Sequence, residues 1–197
     1  MKEALRASGV PPRVSGHQYA ATVRWTRGAD EAFSDRRYSR AHTWAFDGGI
    51  EVAASASPLI VRAPFSDPHA VDPEEAFVAS VSSCHMLFFL DYAAQAKFVI
   101  DRYEDTATAT MGKNEAGKDY VATIVLNPQI QFSGTQPTPE QIAALHHRAH
   151  DDCFIANSIR TEVRIADQPV IPSLSRDSHS TMRIEAVPRQ ARDDRLP

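Results

Sequence analysis

The chain has 197 residues, 43% hydrophobic and 8% aromatic, and its 21 Lys and Arg against 25 Asp and Glu leave a net charge of −4. Such a length and composition fit one globular domain with tails, and the acidic balance argues against a nucleic-acid or anionic-membrane surface as the main partner. No apolar segment follows Met1-Lys2-Glu3, so neither a signal peptide nor an anchor is expected and the default compartment is the cytoplasm. In a reducing compartment two cysteines, Cys84 and Cys153, suit a catalytic, redox-active or unpaired role better than a structural staple.

Residues 1–16 carry Pro11-Pro12 and little periodicity, and read as a loose N-terminal arm. From His17 to Thr26, Tyr19, Ala21, Val23 and Trp25 alternate with polar neighbours as in a strand. Tyr38 to Phe46 alternates again, and Asp47-Gly48-Gly49 is a turn signal before a third strand over 50–53, which together predict an antiparallel meander. Ser55 to Val71 is a long connection punctuated by Pro58, Pro64 and Pro68, and connections of that length in a compact domain are often functional.

A helix with a built start follows. Asp72 suits the N-cap, Pro73 the first helical position, and Glu75 the capping-box partner three residues on. No formally charged side chain occurs from Ala76 to Leu90. A helix apolar nearly all round is expected to be central and buried, and its uncharged part is too short to span a bilayer comfortably. Tyr103 to Lys113 and Asp119 to Ser133 then read as two strands joined by a hairpin loop over 114–118, with Pro128 marking an edge or bend. Thr138-Pro139-Glu140-Gln141 is a second capped helix start, carried by Ile142, Leu145 and Ala149 to the neighbourhood of Cys153. A short strand runs from Thr161 to Ile165, and residues 167–197 read as a tail without its own core. The domain proper is therefore 17–166, and its order of elements is α+β. No Gly-rich phosphate loop, Walker lysine or Cys-x-x-Cys is present, so nucleotide and structural-zinc readings lack support.

On its residues alone, Cys84 is either inert filler or a reactive thiol. Ser80, Ser82, Ser83 and His85 place a polar cluster around it in an otherwise apolar helix, where polar groups are costly unless paired. His146, His147 and His150 with Asp151 raise the possibility of metal binding, but without a third ligand at telling spacing they read as a solvated helix face. Trp44, Phe65, Phe77, Phe88 and Phe89 fit an apolar pocket or, more simply, the core.

Asp-Pro-Glu-Glu followed by nine residues to Cys84, and the later Ala-His-x-x-Cys-x-x-x-Asn-Ser around Cys153, resemble the two cysteine motifs of the OsmC/Ohr family, the osmotically inducible and organic-hydroperoxide-resistance proteins. The resemblance covers roughly Tyr19 to Ile165. It implies the OsmC-like fold, antiparallel sheets around a long buried central helix, in an intertwined homodimer. It also implies a thiol-dependent peroxidase for organic hydroperoxides, in which Cys84 attacks the peroxide and Cys153 resolves the sulfenic acid as a disulfide. No metal or organic cofactor is expected, only an external dithiol reductant of the dihydrolipoamide type. The cation that such a thiolate needs maps onto Arg40, with Arg37 as the fallback, and the glutamate that holds it onto Glu74. The chain departs from the family pattern at His85, where an aromatic residue often follows the first cysteine, and at Phe154, where proline often follows the second.

In one continuous helix, ten residues separate Glu74 from Cys84 by ~15 Å along the axis. Glu74 is therefore expected to serve the thiol of the other subunit. A histidine next to the nucleophile points about 100° away from it, and His85 is read as hydrogen-bonding in the core. Two other readings stand beside the peroxidase: an OsmC-like dimer that binds an apolar ligand or a protein partner without efficient turnover, and a histidine-rich metal-binding protein.

Overall fold

The computed structural model describes residues 16–166. The expected arm, save Gly16, and the expected tail lie outside them. The elements in chain order are β1 (Ala21–Arg24), β2 (His42–Phe46), β3 (Glu51–Ala54), α1 (Pro73–Gln95), β4 (Val99–Asp105), β5 (Thr108–Lys113), β6 (Asp119–Leu126), β7 (Pro128–Ser133), α2 (Pro139–Asp152), α3 (Phe154–Ser158) and β8 (Glu162–Ile165). They form three small sheets: the antiparallel meander β1-β2-β3, the pair β4-β7, and β5-β6-β8, in which β8 runs parallel to β6.

The meander is built as its sequence suggests. Phe46 and Ile50 close the turn, whose Gly49 takes a φ of +82° that a side chain would strain. Its strands pack chiefly on one another, and Val23 and Ile50 are largely exposed. The connection after it is ordered by its own hydrogen bonds, with Ser55, Ser57 and Ser66 buried, and Ser55 accepting from the Asp67 N–H at 2.9 Å. Leu59 and Ile60 on the same connection are 94% and 70% exposed.

Both capped helix starts are present. Asp72 Oδ1 accepts from the Glu75 N–H at 2.8 Å and Glu75 Oε2 from the Asp72 N–H at 3.3 Å. In α2, Thr138 and Gln141 make the same reciprocal pair. α1 ends on Lys97 at a φ of +67°, with the Phe98 N–H bonded back to the Ala93 carbonyl, a left-handed cap made without glycine. The uncharged segment thus lies in a continuous helix of 23 residues, long and apolar enough by length and composition to cross a membrane. Here it packs on both halves of the domain.

Within one chain α1 buries a stripe, Val81, His85, Phe89 and Tyr92 with Ala93, rather than its whole circumference. The N-terminal part of the stripe meets Ile124 and Leu126 of β6. The C-terminal part meets Leu145 and Ala149 of α2 over the β4-β7 pair. The outer face, with Leu87 at 62% exposure, is open.

The expected hairpin is divided further than its sequence suggests. Each long predicted strand is two strands, broken at Thr106-Ala107 and at Asn127, so that one half of each joins a different sheet. Strand β4 also begins at Val99, four residues before the expected start. Asp105 fixes the break: one carboxylate oxygen accepts from the Asn127 N–H at 2.6 Å and the other from the Ser82 hydroxyl of α1. A carboxylate that satisfies a backbone N–H at a strand end removes the penalty for interrupting the ladder there. Pro128, which cannot donate, opens β7.

Candidate functional site

Cys84 and Cys153 come together. Cys84 is half-buried in the middle of α1, and Cys153 is buried at the junction where α2 ends and α3 begins. The two side chains are within hydrogen-bonding reach, and both are thiols. The Asn of the second motif shows how the junction is made. Asn157 donates from its amide to the Asp151 carbonyl at 2.6 Å and to the Cys153 carbonyl at 3.1 Å, folding the chain back over the cysteine. Cys153 Sγ accepts from the Ala156 N–H at 3.4 Å as the cap of the short α3, an element the sequence reading did not resolve.

Burial, and after it the hydrogen bond with Cys84, push the Cys153 thiol up to about 11 against the opposing pull of the Ala156 N–H. At neutral pH Cys153 is therefore a thiol and must lose a proton to attack. Exposed Phe154, at 69%, stands edge-on to Phe88 with ring centroids 5.1 Å apart. Leu87, three residues after Cys84 on α1, is also exposed, at 62%.

The polar residues around Cys84 do not serve it. Ser80 bonds back to the Phe77 carbonyl at 2.8 Å, Ser83 to the Ser80 carbonyl at 3.3 Å, and Ser82 to Asp105. His85 does hydrogen-bond in the core: its Nε2 lies 3.0 Å from Nδ1 of His146. His146 is thus buried, which corrects its reading as part of a solvated face. It belongs to the stripe Ile142, Leu145, His146 and Ala149, whose helical spacing was legible in the sequence. His147 keeps to the surface, 3.3 Å from Asp151. Among the described residues no group of three His, Cys, Asp or Glu is arranged to hold a metal ion.

Within one chain Glu74 stands ten residues before Cys84 on α1, and Arg40 is held by groups of its own loop. The Arg40 guanidinium donates to the Arg36 carbonyl at 2.8 Å and to the Tyr38 carbonyl, and lies 3.9 Å over the Tyr38 ring. The Arg40 N–H is tied to the Phe65 carbonyl at 2.9 Å, and Arg37 also faces the Phe65 ring. Glu74 is half-buried in the first turn of α1 and forms no ion pair with a described residue of its own chain. Continuity of α1 confirms that its ten-residue separation from Cys84 runs along one axis.

A family model described as OsmC-like protein matches residues 66–166. The solved structure of an OsmC-like protein of unknown function from Vibrio cholerae is 53% identical, with a TM-score of 0.74, and the match covers 76% of this chain and 97% of that one. An organic hydroperoxide resistance protein from Elizabethkingia anophelis is 20% identical with a TM-score of 0.56, over 76% of this chain and 92% of that one. OhrB, the organic hydroperoxide resistance protein of Bacillus subtilis, is 19% identical with a TM-score of 0.53, over 76% and 96%. At such identities the last two speak for the fold alone, and the fold is the α+β arrangement around a long helix described above. Among curated proteins, none matches the chain.

Burial is the main force on the histidine pair and pushes both imidazoles down to about 4 from 6.5. His150 adds to the effect at His85, and Asp105 opposes it. Between these values the unfolded chain binds protons that the native state refuses, so stability is present above about 6.5 and is lost as pH falls toward 4. The unfolding free energy from urea titrations is expected to fall by on the order of a few kcal/mol between pH 7 and 4.5. The double variant H85Q/H146N, which has no imidazole at either place, should flatten that slope.

Proposed function

This chain belongs to the family of OsmC-like proteins, and on that premise we propose that it is a thiol-dependent peroxidase that reduces organic hydroperoxides. The observation that carries the reading is the meeting of Cys84 with Cys153, one half-exposed on a helix and the other buried at a helix junction beside it. Cys84 as thiolate attacks the terminal peroxide oxygen. The S–O bond forms as the O–O bond breaks, and the alcohol leaves with a proton. Cys153 then attacks the sulfenic sulfur, an S–S bond replaces the S–O bond, and hydroxide takes the Cys153 proton away as water. An external dithiol reduces the disulfide and is itself oxidised, so the cycle calls for no metal or organic cofactor. A dihydrolipoamide-type dithiol fits that requirement, and a reducing compartment such as the cytoplasm suits two resting thiols.

The high proton affinity of Cys153 keeps it a thiol until the sulfenic acid is present, which favours attack on peroxide by Cys84. Leu87, Phe88 and Phe154 give the approaching molecule apolar surface, in keeping with an organic tail. The open outer face of α1, the largely self-packed meander and exposed Leu59 and Ile60 together support a homodimer that covers them. In that dimer Arg40 and Glu74 of one subunit act at Cys84 of the other. Arg40 lowers the thiol's proton affinity and orients the peroxide, and Glu74 holds Arg40.

A second reading has an observation of its own. Arg40 is satisfied locally by two carbonyls and the Tyr38 ring. A dimer that leaves it there would bind an apolar ligand or a protein partner without efficient turnover.

Stopped-flow mixing of the reduced protein with tert-butyl or cumene hydroperoxide separates the two. Thiol loss is expected to be fast, at least ~100-fold slower in Cys84→Ser, and arrested after one thiol in Cys153→Ser. Slow oxidation indifferent to Cys84 would sink the peroxidase reading. Mixed dimers of Cys84→Ser and Glu74→Ala subunits should regain activity through one intact composite site. If the mixture does no better than either homodimer, Glu74 does not act across subunits.

A further inference from the structure

His85 follows Cys84 in α1, and His146 lies on the face of α2 that leads to Cys153. Their rings stack with centroids 5.3 Å apart and 13° between planes, joined by the 3.0 Å Nε2 to Nδ1 hydrogen bond. Among the described residues this is the only side-chain to side-chain hydrogen bond in which both partners are buried. His85 is 1% exposed, and its Nδ1 has no partner. Two desolvated imidazoles with an unpaired nitrogen are a poor way to fill a core for stability, because apolar side chains of similar size leave no polar atom to satisfy. What the pair supplies is direction. Apolar ridges tolerate small slides and rotations, whereas a hydrogen bond holds one ring at one place on the other.

That place matters for the thiols. Cys84 is about 100° around α1 from His85, so rotation of α1 against α2 moves it relative to Cys153. A second tie, from the Tyr92 hydroxyl to Asp152 immediately before Cys153, fixes the other side of the junction. Arg148 lies over the same Tyr92 ring at 3.7 Å. The groups that face the pair are Phe89 of α1, His150 of α2 and Asp105 of β4.

We propose that the His85–His146 hydrogen bond sets the rotation of α1 against α2 that holds Cys153 on Cys84, so that both histidines are positioning residues for closure of the disulfide. The inference rests on the two-cysteine reading for the bond that forms, and not on peroxide as its oxidant.

Glutathione therefore serves as the test oxidant. The Cys84 thiolate attacks oxidised glutathione and displaces one reduced glutathione. The Cys153 thiolate then attacks the Cys84 sulfur of the mixed disulfide and displaces the second. The equilibrium constant of this exchange reports the effective concentration of one thiol at the other. It is measured on the full-length chain in glutathione redox buffers. H146L and H85M remove the bond in two independent ways, so that if one fails to fold, the other still decides the matter. In H85Q/H146N the Gln amide stands in for Nε2 and the Asn amide for Nδ1, which keeps a donor facing an acceptor.

Each folded bond-deleting variant should lower the constant about tenfold, while alkylation of Cys84 by iodoacetamide changes less than about twofold. H85Q/H146N should stay within about threefold of the wild type. Wild-type constants in a folded H146L or H85M would overturn the proposal, as would H85Q/H146N behaving like the deletions. So would parallel losses in both readouts, which would mark a merely structural role. A protein that closes the disulfide as expected but ignores hydroperoxides would refute the peroxidase reading and leave this one standing.

Discussion

The packing of α1 is the constraint on which the rest of the structure depends. A 23-residue helix with an uncharged middle must be covered, and one chain covers it along a single stripe. Two apolar clusters attach to that stripe, one on each half, and the break at Asp105 lets the strands divide between them. Along α1, Cys84 falls between Val81 of one cluster and Phe89 of the other, one residue before the His85 that is bonded to His146 of α2. Hydrophobic area fixes the helix in the domain, and one buried polar contact fixes its rotation.

Energetically the two parts behave differently. The apolar stripe contributes roughly 25 cal/mol for each Å² removed from water and is insensitive to pH. The imidazole pair is held neutral by burial, and its worth depends on proton concentration. The cysteine at the helix junction shows the same force with the opposite charge type: burial favours the neutral thiol and raises its proton affinity. Burial is thus the largest influence on the protonation of all three groups, followed by a hydrogen bond at Cys153 and by neighbouring charges at the histidines.

Much of this was legible in the sequence because it rests on local signals. The capped starts at Asp72 and Thr138 need only a side chain and a backbone N–H three residues away, and both form as read. The two cysteine motifs have an order and separation that the fold brings together. The division of the hairpin was not legible, since the interruption depends on Asp105 reaching Asn127, 22 residues distant, and only Pro128 hinted at it. The burial of His146 could have been found from its place on the apolar stripe of α2, but its neighbours His147 and His150 drew it into a surface cluster. Arg40 and Glu74 rest on resemblance alone; Glu74 stands ten residues from Cys84 along α1, and Arg40 is bonded within its own loop. A site shared between subunits leaves no trace in the spacing of one chain beyond the length of the helix that separates its parts.

The central claim is that the fold exists to hold one thiol ready for another in the same chain. It is tested most directly by treating the reduced protein with one equivalent of tert-butyl hydroperoxide and mapping its linkages by mass spectrometry of non-reduced peptides. The account predicts a single product, the Cys84–Cys153 disulfide within one polypeptide. A link between chains, or Cys84 oxidised beyond the sulfenic acid with Cys153 still a thiol, would contradict it.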